Sequence, residues 1–271
     1  MTLFLCPTPI GNLEDVTLRV LQVLREADKI AAEDTRHTRK LLSHYDIHTP
    51  LVSYHEHNKH KKTAVILDWL REGINVALVS DAGTPGIADP GEELVREAIG
   101  LDIPVVALPG PVAAVTALTA SGLPTTPFTF YGFLPVKGKG RKEAINGILG
   151  EEKTVVFYEA PHRLVKTLQE LAAAAPKRQL AVARELTKHF EEFVRGPAED
   201  VLAHFEKTQP RGECTLVLAA NEKKPAELPD PLLLVNRLVG EGMEKKEALR
   251  LASEQSGVPR NEIYRMLLEK K

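Results

Sequence analysis

The stretch from Val76 to Gly91 constrains the fold of this chain more than any other. Four apolar residues precede Ser80 and Asp81, and three Gly and two Pro follow before a helical pattern begins at Glu92. A short apolar run bounded by turn residues predicts a buried strand of a parallel sheet. In an open parallel sheet, ligands bind beyond the carboxyl ends of the strands, where glycine lets the backbone come close to them. The stretch therefore predicts a strand, a loop that faces a ligand and a helix, with Asp81 placed to contact that ligand.

Similar apolar runs alternate with helical patterns through the first half of the chain. Predicted strands begin at Leu3, Lys29, Pro50, Val76 and Pro104, and a helix of small residues spans Ala113 to Ala120. Strands separated by helices of about ten to fifteen residues form βαβ units and a mainly parallel sheet. Residues 1–122 are therefore expected to form an N-terminal α/β domain with a parallel sheet.

The second half of the chain has shorter and more closely spaced strand patterns. Residues 123–222 are accordingly expected to form a second α/β domain with a mixed sheet. The segment from Asn221 to Pro231 contains three Pro and several charges, which is typical of a linker. Residues 232–271 then show three short helical patterns, the last two joined by a tight turn, as in a helix-turn-helix module. The predicted fold class is α/β, with two α/β domains and a small C-terminal helical module.

The charge balance excludes one class of function. The 271 residues include 35 Lys or Arg and 37 Asp or Glu, so the formal net charge is −2. A strongly basic nucleic-acid binder is excluded, although a local basic patch remains possible. Cys6 and Cys214 are too few for a disulfide framework, which favours a reducing, cytoplasmic compartment. No apolar run approaches the roughly 18 residues of a membrane span, so no membrane association is expected.

Several polar clusters are candidates for chemistry, and each also has a purely structural explanation. No phosphate-binding G-x-x-x-x-G-K motif occurs, and no G-x-G-x-x-G follows the first strand. The segment Glu33–Arg36 could orient a substrate or move a proton, but it could equally cap a helix with a local ion pair. Three histidines at 55, 57 and 60 could bind a metal, yet their basic neighbours favour a solvated loop, so no metal is expected.

Two charged clusters follow strong strand patterns in the second half. Residues 159–163 and 184–188 should emerge at the same edge of the sheet, where they could face a polar substrate or form helix caps and salt bridges. The segment 137–142 is the densest cationic loop, and loops of this kind contact nucleic-acid phosphates without reading sequence. A solvated loop is the alternative. Across residues 230–271, eight basic residues stand against seven acidic ones, which weakens a DNA-reading role for the helical module.

Five segments taken together resemble the signature series of the ribosomal RNA small subunit methyltransferase I family. In order along the chain, they are Pro7–Asp15, Glu33–Arg36, Ser80–Gly91, Tyr158–Arg163 and Arg184–Lys188. The resemblance extends over roughly residues 3–220, and the tail is similar to the C-terminal module of the family. This family belongs to the tetrapyrrole-methylase superfamily of S-adenosylmethionine-dependent methyltransferases.

The resemblance implies a fold, a cofactor and a reaction. It implies two α/β domains with S-adenosylmethionine in the cleft between them, a homodimer, and 2′-O-methylation of a cytidine in 16S ribosomal RNA at the decoding centre of the small subunit. By position, it implies that the cofactor is bound by Pro9, Ile10, Asp81, Gly83, Ile87, Val112, Ala113, Tyr158, Glu159, Leu186 and Gly212. A further contact is expected near Glu213. Val112 departs from the family, in which this position often carries Ser.

The remaining site residues are expected to act on the acceptor. Candidates for the general base or for orienting the hydroxyl are Glu33, Asp34, Glu185 and Lys188, and those for holding RNA are Arg36, Arg163, Lys137, Lys139 and Arg141. Two other functions stay open at this point. The chain could methylate a tetrapyrrole or another small molecule, since fold does not dictate substrate. It could also be a non-enzymatic RNA-binding protein built around the helical tail.

Overall fold

The structure, a computed structural model, describes residues 1–208, 210, 212–221 and 229–269. The chain forms two compact units, Met1–Asn221 and Glu222–Lys271. Most of the predicted linker, residues 222–228, lies outside the described residues. The predicted α/β organisation is confirmed in the first unit, which contains two five-stranded sheets.

The first sheet is entirely parallel, with strand order β3-β2-β4-β1-β5. Its strands are β1 (Leu3–Leu5), β2 (Lys29–Ala32), β3 (Leu51–Ser53), β4 (Val76–Val79) and β5 (Val105–Ala107). The connecting helices are α1 (Leu18–Glu26), α2 (Thr35–His44), α3 (Lys59–Arg71) and α4 (Glu92–Gly100), and a short 3₁₀ helix spans Leu13–Asp15. These positions agree with the sequence-based expectation within a few residues.

Strand β4 is fully buried because it lies in the middle of this sheet with helices on both faces. Ala77 and Val79 pack in the core that contains residues of α1 and α2, whereas Val76 and Leu78 pack in the core formed with α3 and α4. This two-residue alternation between two apolar faces is why the strand sequence is a continuous apolar run. The carboxyl end of β4, which carries Asp81, therefore opens at a defined sheet edge.

The second sheet is mixed, as predicted, with strand order β6-β7-β10-β8-β9. Its strands are β6 (Phe128–Phe133), β7 (Thr154–Glu159), β8 (Gln179–Arg184), β9 (Glu192–Pro197) and β10 (Cys214–Leu218), and its helices are α6 (Gly138–Gly150), α7 (Pro161–Ala174) and α8 (Ala198–Lys207). Strands β6 and β7 are parallel, and the other pairs are antiparallel. Because β10 runs antiparallel to both β7 and β8, the ends of β7 and β8 emerge at one edge, as expected.

Helix α5 (Ala113–Ala120) connects the two sheets of the first unit. It follows the last strand of the first sheet, yet Ala117 and Leu118 pack against the second sheet, in a core that includes Val156 and Val217. Its small side chains allow this close packing of a helix on a sheet. The predicted division near residue 122 stays a prediction, since residues 1–221 form one compact unit.

The second unit contains three helices, in agreement with the sequence pattern. They are α9 (Pro231–Gly240), α10 (Lys245–Ser256) and α11 (Arg260–Glu269). Its core includes Leu232, Val235, Ala248, Ala252 and Ile263. No helix in the described part of the chain is long and apolar enough to cross a membrane.

Candidate active site

A cavity of about 210 Å³ opens between the carboxyl edge of the first sheet and the second sheet. The first half of the chain contributes Ile10, Glu33, Asp81, Ala82, Gly83, Thr84, Ile87, Ala88, Asp89, Val112 and Ala113 to its lining, and the second half contributes Phe133, Tyr158, Glu185, Leu186, Lys188, Glu213, Cys214 and Thr215. The loop after β4 supplies more lining residues than any other segment. The stretch singled out from the sequence thus forms one wall of the cavity.

Asp81 is held in place by the neighbouring strand end. Its Oδ1 accepts a hydrogen bond from the backbone N–H of Asp34 at 2.9 Å, which joins the ends of β4 and β2. The loop behind it is fixed by backbone hydrogen bonds between Thr8 and Gly83, both 2.9 Å long, and by the Thr8 hydroxyl, which donates to the Ser80 carbonyl at 3.0 Å. The position of the Asp81 carboxylate is therefore set by three separate strand-end segments.

The loop after β1 passes very close to the loop after β8. A Cβ placed on Gly11 would lie 2.5 Å from the Leu186 carbonyl oxygen and 2.7 Å from the Thr187 hydroxyl. Such distances do not occur between real side chains and backbone, so only glycine fits here. This approach brings the loop that carries Ile10 and the loop that carries Leu186 together in the cavity lining.

The cavity is strongly acidic. Burial, followed by repulsion from Glu33, Asp81 and Glu213, raises the pKa of Asp89 to about 7. Burial and the charge of Asp81 likewise raise the pKa of Glu33. Carboxylates that share a partly buried space resist ionising together, and a cation bound among them would relieve their repulsion. The cavity is therefore suited to a ligand that carries positive charge.

Aromatic side chains form the wall contributed by the second sheet. The Tyr158 hydroxyl accepts a hydrogen bond from the Ala114 N–H at the start of α5, at 3.2 Å. The rings of Phe130 and Phe133 lie 5.1 and 5.2 Å from the Tyr158 ring. Phe133 remains 49% exposed and lines the cavity, so it offers a flat apolar surface to a ligand.

The loop after β8 has an unusual backbone. Glu185 and Thr187 have φ angles of 52° and 65°, which are rare for residues other than glycine and unfavourable for a β-branched side chain. The loop is held by an ion pair of 2.8 Å between Lys188 Nζ and Glu185 Oε1, and by the Thr187 N–H, which donates to Glu191 Oε2 at 2.6 Å. Backbone strain of this kind is concentrated at functional sites. It directs Glu185, Leu186 and Lys188 into the cavity wall.

Comparison with known proteins places the chain in a family. The model of the family described as "Tetrapyrrole (Corrin/Porphyrin) Methylases" matches residues 2–202. Proteins named ribosomal RNA small subunit methyltransferase I are 48% identical in Halalkalibacterium halodurans, covering 97% of this chain and 93% of that protein, and 45% identical in Synechocystis sp., covering 98% and 97%. The chain belongs to this family of tetrapyrrole methylases. The resemblance seen in the five sequence segments is confirmed.

A solved structure with the same fold supports the architecture. Uroporphyrin-III C-methyltransferase from Thermus thermophilus, crystallised with S-adenyl homocysteine, superposes with a TM-score of 0.57 at 21% identity, covering 81% of this chain and 97% of that one. At this identity the likeness establishes the fold alone. The tetrapyrrole-methylase fold predicted from the sequence is thus confirmed.

Many of the residues expected from the family resemblance meet in the cavity. Of the expected cofactor contacts, the lining contains Ile10, Asp81, Gly83, Ile87, Val112, Ala113, Tyr158 and Leu186. Of the expected catalytic residues, it contains Glu33, Glu185 and Lys188. Asp89 and Phe133 were not singled out from the sequence, although Asp89 belongs to the same Gly-rich and Pro-rich stretch as Asp81. Their assembly supports the expected roles, which stay predictions.

Pro9 and Gly212, both expected to bind the cofactor, are absent from the cavity lining. Gly212 has φ +73°, and a Cβ on it would lie 1.7 Å from Glu185 Oε1. Gly212 therefore leaves the space that the Glu185 carboxylate occupies, so its contribution is to position Glu185.

Glu159 and Arg163 belong to a buried ion network, and the roles expected for them are not supported. Glu159 is 0% exposed, and it accepts hydrogen bonds from the Ala160 N–H, the Arg163 guanidinium and the Thr167 hydroxyl. Because these donors occupy both carboxylate oxygens, the Glu159 side chain is committed to this network and does not line the cavity. Arg163 also donates to the Leu134 carbonyl, so its guanidinium is not available to RNA.

The predicted basic loop at 137–142 is a helix instead, and one of its cations is buried. Helix α6 begins at Gly138, so Lys139, Arg141 and Lys142 lie in its first turns. Arg141 is 5% exposed and donates to Glu170 at 2.7 Å and to Thr167 at 2.9 Å. An RNA contact by Arg141 is therefore wrong, because its guanidinium is used inside the protein. Lys137 and Lys139 are exposed and outside the cavity lining.

Asp34 and Arg36 form a helix cap with a local ion pair, which was one of the two alternatives that the sequence allowed for this segment. The Asp34 carboxylate accepts from the Arg36 N–H at 2.8 Å and from its guanidinium at 2.9 and 3.2 Å. These hydrogen bonds hold the pKa of Asp34 well below its usual range, which makes it a weak base. Asp34 does not line the cavity, so the catalytic role expected for it is not supported.

The three histidines before and at the start of α3 do not form a metal site in the structure. Among the described residues, no group of three or more His, Cys, Asp or Glu side chains is arranged to hold a metal ion. The Nε2 atom of His55 lies 3.1 Å from the Asn58 amide, and Nδ1 of His60 lies 2.8 Å from Glu93. His55 therefore contacts a residue within its own segment, and His60 connects the segment to the start of α4.

Proposed function

We propose that this protein transfers a methyl group from S-adenosylmethionine to the ribose 2′-hydroxyl of a cytidine in 16S ribosomal RNA, at the decoding centre of the small subunit. The acidic cavity beside Asp81 carries the proposal, since it lies in a chain nearly half identical to relatives named for this RNA class. The five signature segments support the finer choice of nucleoside and atom, because they resemble the family that modifies a cytidine ribose.

The cavity fits the chemistry of the proposed donor. S-adenosylmethionine has a positive sulfonium and a positive amino group, which the carboxylates of Asp81, Asp89 and Glu213 would complement. Ile10 and Leu186 would contact its apolar parts, while Gly83 and Ala113 leave room close to the backbone. When bound, the donor supplies a methyl group activated by the sulfonium charge.

The reaction requires alignment of the ribose hydroxyl and removal of a poorly acidic proton. We assign proton removal to Glu33, because it lines the cavity and its pKa is raised, which brings its basicity closer to that needed near neutral pH. The Lys188–Glu185 pair, which also lines the cavity, would orient the hydroxyl. A positioned general base contributes roughly 10²–10⁴-fold to such a step, and alignment contributes a further share.

The test is transfer of tritium from labelled S-adenosylmethionine into small ribosomal subunits that lack the modification. We expect one label per 16S RNA, in a dinucleotide that resists alkaline cleavage, since a methylated 2′-oxygen cannot attack the adjacent phosphate. Label that appears on a base, or in no RNA at all, would sink the proposal. Glu33→Gln should reduce the rate while the affinity for S-adenosylmethionine, measured by calorimetry, stays within a few fold.

A tetrapyrrole acceptor is the competing function. The fold is shared with uroporphyrin-III C-methyltransferase, and fold does not dictate substrate. The same labelling experiment with a tetrapyrrole in place of ribosomal subunits separates the two functions. A protein that binds no S-adenosylmethionine would instead favour the non-enzymatic alternative.

We also propose that the protein acts as a homodimer in the cytoplasm. The homodimer follows from the family resemblance, and the compartment follows from the proposed ribosomal RNA substrate. Mass measurement by light scattering across a range of protein concentrations tests the homodimer, and a mass of one chain at micromolar concentration would contradict it.

A further inference from the structure

Besides residues 137–142, one longer segment of this near-neutral chain has an excess of positive charge. Residues 34–62 contain six Lys or Arg against three Asp or Glu, whereas the whole chain contains 35 against 37. Six of the nine histidines lie in the same segment. The segment comprises α2, β3 and the start of α3, at the β3 edge of the first sheet.

Helix α2 separates its apolar and basic residues onto two faces. Thr38, Leu41 and Leu42 are buried beneath it. Arg39 and Lys40 are exposed, three and four positions after Arg36, so the three cations form one row along the outer face. This outer face does not pack in the core, so a partner can reach it.

The acidic residues of the segment are already used by other cations. Asp34 pairs with Arg36, Asp46 with His48 and Glu56 with Lys59. Among the residues that the structure describes, no acidic side chain pairs with Arg39, Lys40, Lys61 or Lys62. These four residues are hereafter the α2–α3 cationic surface, which α2 carries on one face of the first sheet and α3 carries on the other. Their charge is therefore uncompensated.

The α2–α3 cationic surface begins at the cavity. Glu33, in the cavity lining, lies two residues before α2, and the intervening Asp34 donates its backbone N–H to Asp81. The start of α3 is tied to the start of α4, which follows the Asp81 loop, by the contact of 2.8 Å between His60 and Glu93. In a parallel sheet these helix starts all lie at the edge that carries the strand ends. The surface thus flanks the strand-end edge, where the cavity opens, on both faces of the first sheet.

The other basic segment of the chain is a weaker candidate for the same role. In α6, Arg141 is buried against Glu170, and Lys139 lies 3.6 Å from Glu143. Only Lys137 and Lys142 remain exposed there without an acidic partner among the described residues. Within the described part of the chain, helices α2 and α3 together therefore carry four unpaired cations at the strand-end edge, against two at α6.

We propose that the α2–α3 cationic surface binds the phosphate backbone of the RNA and holds the strand beside the cavity mouth. This inference rests on the proposed RNA methyl transfer, because the cavity itself has an acidic lining that would repel phosphates. Lys and Arg contacts to phosphates position nucleic acid without reading its sequence. The surface would therefore supply affinity, and the acceptor nucleotide alone would enter the cavity.

The experiment compares two triple variants of the full chain. The test variant is Arg39→Ala, Lys40→Ala and Lys61→Ala, in which alanine maintains the helices. The control variant is Arg71→Ala, Lys153→Ala and Lys177→Ala, which removes the same charge from exposed positions next to the amino ends of β4, β7 and β8, away from the cavity edge. Both are titrated with protein-free 16S RNA and with an unrelated RNA of equal length, at several salt concentrations.

We expect the test variant to bind both RNAs about tenfold or more weakly at 0.1 M salt, with the slope of log affinity against log salt reduced by about two. The control variant should retain the affinity and slope of the unsubstituted protein. Calorimetric affinity for S-adenosylmethionine should be the same in all three proteins, which shows that the cavity remains folded. Equal RNA affinity and slope in the two variants would overturn the inference. A salt-dependent effect of the surface without any methyl transfer to 16S RNA would instead contradict the proposed function alone.

Discussion

Gly212 and Glu185 occupy a space that admits no additional atom. The Glu185 carboxylate lies where a Cβ of residue 212 would be, and both residues have positive φ. A side chain at 212 must therefore displace the carboxylate and with it the pairing to Lys188. The geometry of the cavity wall depends on the absence of a side chain at this position.

We expect Gly212→Ala to lower methyl transfer at least tenfold while stability falls by about 1–2 kcal/mol, the usual cost of a left-handed backbone for alanine. Gly122→Ala is a matched control, since Gly122 has φ +80° and no atom lies within 4 Å of the point that its Cβ would occupy. It should lose similar stability and keep its activity. Urea unfolding and single-turnover transfer rates measure the two effects. Equal activity losses in both variants would contradict the positioning role.

A second prediction at the scale of one residue concerns the pKa of Asp89. Its pKa of about 7 lies above that of an ordinary carboxyl, so the folded protein keeps this proton at pH values where the unfolded chain has lost it. The contribution of Asp89 to stability therefore falls as pH rises from about 4 to about 7. A cation bound in the cavity favours the ionised form, which lowers the pKa and releases the proton.

The affinity for S-adenosylmethionine should consequently strengthen as pH rises through 7, with proton release near neutral pH. Calorimetry in buffers of different ionisation enthalpy measures that release. Asp89→Asn removes the titrating group, so its affinity should change little over the same range. S-adenosylhomocysteine, which lacks the sulfonium charge, should show a smaller pH dependence in the parent protein. Identical pH profiles for the parent and Asp89→Asn would refute the assignment.

Sequence reasoning locates some site residues and misses others for one physical reason. Asp81 can be found because the end of a buried strand in a parallel sheet has a predictable position. Asp89 is missed because its raised pKa comes from burial and from Glu33 and Glu213, which only the folded chain brings near. Glu159 is the last residue of its strand, and Asp81 follows its own strand by two residues. The two positions look alike in sequence, yet Glu159 is enclosed by side chains from α6 and α7.

At the scale of elements, the Glu159 network joins β7, α6 and α7. Arg163 and Arg141 lie on the two helices and share the Glu159 carboxylate, while Arg141 also binds Glu170. Buried charges of this kind are costly when one partner is removed, because the remaining charge stays without compensation. The pattern of charges at 137–142 predicted a basic loop because an arginine that turns inward cannot be recognised from its neighbours in sequence.

We expect Glu159→Ala to destabilise the protein by about 3–5 kcal/mol, since it removes the carboxylate shared by the buried Arg141 and the partly buried Arg163. Glu143→Ala removes an exposed partner of Lys139 on the same helix and should cost about 0–1 kcal/mol. Urea unfolding measures both values. The fraction of Glu159→Ala that remains folded should bind S-adenosylmethionine normally. Loss of that affinity without loss of stability would restore Glu159 as a cofactor residue.

At the scale of the whole molecule, helix α5 and the loops at the two sheet edges make the first unit a single body. Helix α5 starts at the cavity with Ala113 and ends where Arg195, from β9, donates to the Ala120 carbonyl at 2.6 Å. The parallel and mixed types of the two sheets could be predicted, because apolar runs and their spacing set them. The packing of α5 on the second sheet could not, because small residues fit either sheet equally well.

The second unit has its own apolar core, formed by residues of α9, α10 and α11. The cores of the first unit are formed by residues up to Leu218. Since the cavity lining ends at Thr215, every residue of the proposed donor site precedes the linker segment. A chain that ends at Asn221 should therefore fold and bind S-adenosylmethionine within about twofold of the full chain, because no buried apolar group of its cores has been removed.

The RNA affinity of the shortened chain shows whether the α2–α3 cationic surface or the C-terminal helical unit supplies the phosphate contacts. The α2–α3 cationic surface is intact in it, while residues 230–271 carry nearly balanced charge. We expect the salt dependence of RNA binding to persist after truncation, and its slope to fall by about two only when Arg39, Lys40 and Lys61 are also replaced. Filter binding of 16S RNA at several salt concentrations measures this. If truncation alone abolishes the salt-dependent affinity, the helical unit supplies the phosphate contacts and the surface on α2 and α3 does not.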